Sequence, residues 1–345
     1  MNKMVIKINN HLLPRLITKN WKQEKGKLYD KELEIKRNIQ KLDYSEKYYY
    51  SLGKPDDALE NRISKFENVI TLILKKVNNA EKSIRLTGKE IELLKLFCVL
   101  AACRQDNTSS LIKGDESGIY ADNNYIFGVP LIKTKEEAVK TTSSIIDDFE
   151  KISKLPKDTK FRNWSRVIEA EYSGSFYNLG QHLVILRNDN NSNIISDICA
   201  IIEYTMDSDY LFTYVPISPK TALVLVKSKY YDNLEEYIYT LKRFGSKYGN
   251  GKSDPYLSAI FENNEHILFN SYSSVRSAVH LKETYFKVKE YVEATVHIKS
   301  VSLNEIRQFN SVIFEDGKKI LYTNEKELEF AKNHPLNSRT ITVEW

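Results

Sequence analysis

An imidazole, three carboxylates, a guanidinium and a hydroxyl stand out from the scattered charges of this chain: His11, Glu60, Glu67, Asp197, Arg104 and Ser196. An imidazole titrates near neutrality and suits general acid or base work. A carboxylate orients such a base or helps to hold a divalent cation. A guanidinium neutralises charge on a phosphate in its transition state. His11 lies in Asn10-His11-Leu12-Leu13-Pro14-Arg15, beside a rigid Pro turn near a chain end. Taken alone, such a His is a local hydrogen-bonder. Ser196-Asp197 follows the turn formers Asn188-Asp189-Asn190-Asn191 and by itself reads as a turn or cap. Tyr214-Val215-Pro216-Ile217-Ser218-Pro219 reads as a strand running into a Pro-stiffened segment.

The two glutamates and the arginine take their positions from helices. Pro55-Asp56-Asp57 opens a helix whose apolar stripe is Leu59, Ile63, Phe66, Ile70, Ile73, Leu74 and Val77. At 100° per residue Glu67 falls about 20° beyond Leu74, and Glu60 about 20° further, so both project from one rim of the buried face. Thr87 and Glu90 form a capping box before a second helix with Ile91, Leu94, Phe97, Leu100 and Ala101 on one face. The short link predicts antiparallel packing of the pair. Arg104 falls between Leu93 and Phe97 in that stripe, and a guanidinium aimed at a core must be paired. Two readings stand: a structural ion pair with the rim carboxylates, or a polar pocket at a helix–sheet junction.

Around these elements, residues 1–55 read as irregular with short strands, among them a hairpin of 27–30 with 34–36. Residues 106–133 read as a long loop. Thr134 and Glu137 cap a helix to about Lys154, broken by Pro156. Segments 164–172, 182–187, 198–204, 210–215 and 222–227 are rich in β-branched and aromatic residues and read as strands. Helices are expected over 233–244, from Asp254-Pro255, over 272–282 and over 303–314, with a strand pair near 291–299 and 339–344. This order predicts an α+β fold, with an N-terminal helical hairpin region packed on a central antiparallel or mixed sheet and with C-terminal helices.

The 345 residues are 41% hydrophobic and 28% charged, which suits a globular protein and excludes disorder, collagen and coiled coil as the main theme. No apolar run approaches the roughly 18–20 residues that cross a bilayer, and Met1 to Arg15 lacks the apolar segment of a secretory signal. The expectation is a cytoplasmic protein without membrane association. A formal charge of +5 permits nucleic acid as a partner without arguing for it. Cys98, Cys103 and Cys199 read as small core residues; the first two stand about 140° apart on a helix and cannot share one metal. Walker, dinucleotide, zinc-spacing and nucleophile-elbow motifs are missing.

Taken in order, these features resemble the bacterial family known as domain of unknown function 4238. The resemblance rests on His11-Leu12-Leu13-Pro14, Leu28-Tyr29-Asp30, Glu60 and Glu67, Arg104, Ile195-Ser196-Asp197 and Pro216-Ile217-Ser218-Pro219, with Asn270 matching a late helical Asn. Ile198-Cys199 replace the family's Asn-Pro after Ser-Asp, and Arg15 replaces its Gln after the first Pro. The resemblance spans roughly residues 9–282. It divides the chain into a family-like domain over 1–285 (helical at about 55–155, sheet at about 160–230, helices at about 232–282) and a C-terminal extension over 286–345. It also implies a cytoplasmic bacterial protein, some relatives being associated with defence against bacteriophage.

Two functions are weighed from there. One is an antiphage effector enzyme, a nuclease or other phosphoester or nucleotide-directed hydrolase. His11 would be its acid or base, Asp197 an orienting or metal-binding group and Arg104 a phosphate stabiliser, with Glu60 and Glu67 helping to hold Mg²⁺. Ser196 completes the set. The other is a non-catalytic sensor or protein-binding module of a defence system, with nucleic acid or a phage protein as the partner. Convergence of the six side chains on one reachable cleft would favour the enzyme. Their capture in buried, fully paired contacts would favour the binder.

Overall fold

The computed structural model describes residues 9–11, 13–40, 43–47, 58–103, 125–126, 129–130, 135–156, 181–197, 199–204, 210–227 and 293–334. Their elements run β1 (Asn9–His11), α1 (Arg15–Gln23), β2 (Lys27–Asp30), β3 (Ile35–Asn38), β4 (Ser45–Lys47), α2 (Ala58–Asn79), β5 (Ser83–Thr87) and α3 (Gly88–Cys103). There follow β6 (Tyr125–Ile126), β7 (Val129–Pro130), α4 (Lys135–Lys154), β8 (Gln181–Arg187), β9 (Ile195–Ser196), β10 (Ile201–Tyr204), β11 (Tyr210–Pro216) and β12 (Thr221–Lys227). The C-terminal part gives β13 (Glu293–Ser300), α5 (Leu303–Asp316), β14 (Lys319–Tyr322) and α6 (Glu325–Asn333). The fold is α+β.

Its centre is a six-stranded mixed sheet in the order β10-β11-β12-β8-β13-β5, antiparallel except where β13 runs parallel to β8. Alternation along the strands sends side chains to two cores. Leu183, Ile185, Val215, Leu223 and Leu225 join the core under α1–α4. Val184, Leu186, Tyr214, Ala222 and Val224 face the other way, into a core shared with α5, α6 and a four-stranded antiparallel sheet, β3-β2-β14-β9. Tyr214 stacks flat on Phe309 of α5 there, with ring centroids 4.0 Å apart.

The helical stripe read from the sequence is the one α2 buries: Ile63, Phe66, Ile70, Ile73, Leu74 and Val77. The Thr87–Glu90 capping box forms, with Glu90 N–H donating to Thr87 Oγ1 at 3.2 Å and Thr87 N–H to Glu90 Oε2 at 2.9 Å. α3 departs from a one-faced helix. From Ile91 to Ala101 it is buried all round, because it lies between the sheet and helices α2 and α4. Even Glu92 and Lys95 are buried there, as an ion pair 3.4 Å long.

Three expectations about elements are corrected. Residues 1–55 are not only irregular with short strands: Arg15–Gln23 is a helix, since Ile17 and Trp21 at four-residue spacing bury one stripe. A left-handed Lys25 and Gly26 end it, and Gly26 N–H donates to Trp21 O at 2.8 Å; a Cβ on Gly26 would stand 2.7 Å from that oxygen. The link between α2 and α3 is not a plain turn, because alternating Ser83-Ile84-Arg85-Leu86-Thr87 makes strand β5. The strand near 291–299 forms, but its described partners are β5 and β8. Segments 339–344, 164–172, 233–244, the one from 254, and 272–282 lie outside the described residues, as does 106–133 apart from the β6–β7 pair.

Candidate functional site

The polar rim of α2 sets one wall of a cleft of about 710 Å³. Ser64, Glu67, Thr71, Lys75 and Asn78 recur every three or four residues along that rim, flanking the stripe that anchors the helix. Helix α1 gives the facing wall. Its Ile17 and Trp21 are buried, which turns Arg15, Lys19, Asn20 and Gln23 toward the cleft. The third wall is the β11–β12 turn, Ser218 to Thr221.

That turn is held from within. Ile217 and Ser218 N–H donate to Thr221 O at 2.9 and 3.1 Å, and Ser218 Oγ accepts from Thr221 N–H at 3.0 Å. Asn20 of α1 donates to Ile217 O at 2.7 Å and joins two walls. Behind the turn sit two buried asparagines. Asn193 donates its side chain to Ser218 O at 3.0 Å and its N–H to Pro219 O at 3.0 Å. Asn188 donates to Asn193 Oδ1 at 2.9 Å and, from its N–H, to Lys220 O at 2.9 Å. Tyr214 donates its hydroxyl to the same Asn193 oxygen at 3.1 Å. Asn310 of α5 extends the network, accepting from Ile194 N–H at 3.1 Å and donating to Ser192 O at 2.7 Å.

Arg187, at the end of β8, lies behind the lining. Its Nη2 donates to the α2 carbonyls of Val77 and Asn78 at 3.2 and 2.8 Å and touches Thr221 Oγ1 at 3.4 Å. Burial holds this guanidinium below the usual arginine range against the pull of Asp189 and Glu81. Its Nε is buried with no hydrogen-bond partner among the described residues.

The six residues singled out by sequence divide between places. Glu67 lines the cleft, and Glu60 continues the same rim two turns toward the start of α2, half-buried. Arg104 lies outside the described residues, directly after the end of α3, and Asn270 lies outside them too. Described ion pairs across the helices are Lys76 of α2 with Glu90 of α3, and Arg62 of α2 with Asp147 and, at 2.7 Å, Glu150 of α4. His11 ends β1 opposite Ser45 of β4. Four residues of chain put its Cα within about 14 Å of that of Arg15.

Ser196 and Asp197 sit on the far side of β14. Ser196 is fully buried and packs against Gly317, where an added Cβ would come 2.5 Å from its Oγ. Asp197 Oδ1 accepts the N–H groups of Lys318 and Lys319 at 2.8 and 3.0 Å and so caps the start of β14. The backbone of His11 reaches this neighbourhood through β4. Tyr44, beside Ser45, donates its hydroxyl to Lys319 O at 2.9 Å, and its own pKa is pushed far up by burial and then by Asp197. Lys31 lies close by; burial lowers its pKa against Asp197, and its ammonium is spent on the last carbonyls of α5, Phe314 O and Glu315 O. Among the described residues, no three His, Cys, Asp or Glu side chains come close enough to hold a metal ion together.

The sequence reading passed over Lys19, Asn20, Lys220, Arg187 and the Asn188–Asn193 pair. Only Asn188 carried a signal, as the first residue of a turn-forming run. The cationic residues look like any solvated surface until α1 is recognised as a helix.

The chain matches the family described as protein of unknown function (DUF4238) over residues 9–327, and it belongs to that family. No curated protein and no solved structure matches it. No helix among the described residues is long and apolar enough to cross a membrane.

Proposed function

We propose that this DUF4238 protein is a cytoplasmic component of bacterial antiviral defence that recognises a polar ligand in the cleft between α1, α2 and the β11–β12 turn. One observation carries the reading. Three motif positions distant in the chain line this single cleft: Arg15 after the His-x-x-Pro stretch, Glu67, and Ser218-Pro219. The contacts of Ser196 and Asp197 support recognition over catalysis by that pair, since a carboxylate oxygen spent on two backbone N–H groups orders a strand end. The ligand, whether derived from nucleic acid or part of a phage protein, would enter between walls that the Asn188–Asn193 network holds in place.

The test is plaque formation on a bacterial host expressing the native chain, a Lys19→Glu/Lys220→Glu variant or an Asn20→Ala variant, with thermal unfolding of each as the folding control. The expected outcome is loss of protection in the cleft variants at unchanged melting temperature. Full protection by folded cleft variants would remove the cleft from the function.

A hydrolytic reading, as a nuclease or other phosphoester hydrolase, draws support from the closeness of the His11 backbone to Arg15. It requires that the native chain turn over a phosphoester and that His11→Ala abolish turnover while binding survives. The recognition reading expects no turnover from either chain.

A further inference from the structure

We propose that the ligand of this cleft is a phosphorylated nucleoside, its phosphate held by the cations of α1 and the β11–β12 turn and its sugar hydroxyls held along the α2 rim. The inference rests on the recognition reading and names its chemistry. Four cations line the cleft, Arg15, Lys19, Lys75 and Lys220, against two carboxylates, Glu24 and Glu67. Among the described residues, Lys19, Lys75 and Lys220 have no carboxylate within ion-pair distance. An excess of unneutralised ammonium groups in a concave site focuses a positive field there.

The backbone adds to that field. Helix α1 has no acidic residue in its first turn and no side-chain cap at Pro14, so nothing on its own first turn offsets the positive end of its dipole beside Arg15 and Leu16. The opposite hazard would come from α2, whose last turn brings the negative end of a 22-residue helix to the cleft at Asn78 and Asn79. Arg187 cancels it. Its guanidinium sits on the Val77 and Asn78 carbonyls with no carboxylate of the described residues within ion-pair distance, Asp189 and Glu81 acting on it from further off, which leaves this end of the cleft fit for an anion.

A bare anion site would not need the α2 rim. There the lining changes to groups that read hydroxyls and amides. Asn78 is a half-buried residue of this wall whose Oδ1 has no donor among the described residues, and a rotation of its amide would turn that acceptor to a ligand hydroxyl or amino group. Asn68, Asn79 and Gln23 can pair with the edge of a base, and Leu16, Leu74 and Pro219 offer it apolar contact. The volume suits a ligand of nucleotide size.

Calorimetric titration of the full chain with AMP, ATP, adenosine, ribose 5-phosphate, pyrophosphate and a 5′-phosphorylated oligonucleotide tests this. The expected result is micromolar binding of AMP or ATP that weakens with salt, at least tenfold weaker binding of adenosine and of pyrophosphate, and a tenfold or greater loss in Lys19→Glu/Lys220→Glu. Arg187→Lys, which keeps charge without the fork, is expected to weaken AMP at least threefold. Tighter binding of the oligonucleotide than of AMP assigns the same phosphate chemistry to a strand end. Adenosine binding as well as AMP overturns the proposal, and so does AMP binding untouched by charge reversal in a folded variant. If no phosphate compound binds and the cleft variants still lose plaque protection, the phosphate class falls and the recognition reading stands. If AMP binds as expected and protection is unaffected by the variants, the ligand class stands and the defence reading falls.

Discussion

Asn193 does more for the cleft than any residue that lines it. Its fully buried amide is satisfied on three sides, by Ser218 O, by the Tyr214 hydroxyl and by the Asn188 amide. Removing it strands those partners in a site that water does not reach, and an unmet buried polar group costs about 1–3 kcal/mol. Asn193→Ala is therefore expected to lower stability by about 2–3 kcal/mol in urea unfolding, and to loosen the Ser218–Thr221 turn. Ligand binding at the cleft should fall more than stability alone explains. A variant as stable as the native chain would show that the turn stands without this support. The importance of Asn193 is invisible in the sequence, where it follows a turn-forming run and looks like one more polar loop residue. Glu67 was legible there, because its angle on the α2 wheel needs only local periodicity. The Ser196-Asp197 pair was legible as a cap, but not what it caps, since the N–H groups of Lys318 and Lys319 lie more than a hundred residues on.

At the scale of elements, β1 pairs, among the described residues, with the short β4 alone. The segment leading into β4 is fixed by a bidentate pair: Arg37 of β3 donates to both oxygens of Asp43, at 2.6 and 3.0 Å. Burial pushes the Asp43 carboxyl up, but Arg37, the Gln40 N–H and Lys319 outweigh it and hold its pKa below the ordinary 3.8. A carboxylate depressed in the folded state contributes stability that is fully present above its unfolded pKa and is lost as pH falls through the folded value. The expected outcome is a contribution constant from pH 7 down to about 5 and fading below about 4. Asp43→Asn should cost about 2 kcal/mol at pH 7 and flatten the acid limb of a stability–pH profile. An unchanged acid limb would mean that other carboxylates carry it.

Elements built on local period were readable: α2, the α3 capping box, the β2–β3 hairpin and the strands β8 and β10–β12. What was missed depends on distant partners. Strand β5 is five residues long and gains its ladder from β13, about two hundred residues later. Helix α1 is nine residues long, too short to declare itself before Ile17 and Trp21 find a core.

For the whole molecule, residues 293–334 are woven into the fold. β13 stands inside the six-stranded sheet between β8 and β5, and β14 stands inside the second sheet between β2 and β9. The family match runs on to residue 327 accordingly. Deleting both strands would open two sheet interiors and strip the second core of Phe309, Ile313, Ile320 and Leu328. A domain holds together by only about 5–15 kcal/mol, less than such a loss. A chain ending at residue 292 is expected to lack a cooperative thermal transition and to collect in the insoluble fraction. A soluble, cooperatively melting 1–292 fragment would show that the strands are accessory.

The central claim is that the α1–α2 cleft is a working site tuned to a phosphorylated ligand. Titrating AMP into the full-length chain at low and at high salt, beside the Lys19→Glu/Lys220→Glu variant, tests it most directly. The account predicts saturable heat at low salt, a weaker isotherm at high salt and binding at least tenfold weaker in the variant. Native heat no greater than dilution, or an isotherm indifferent to both salt and charge reversal, would contradict it.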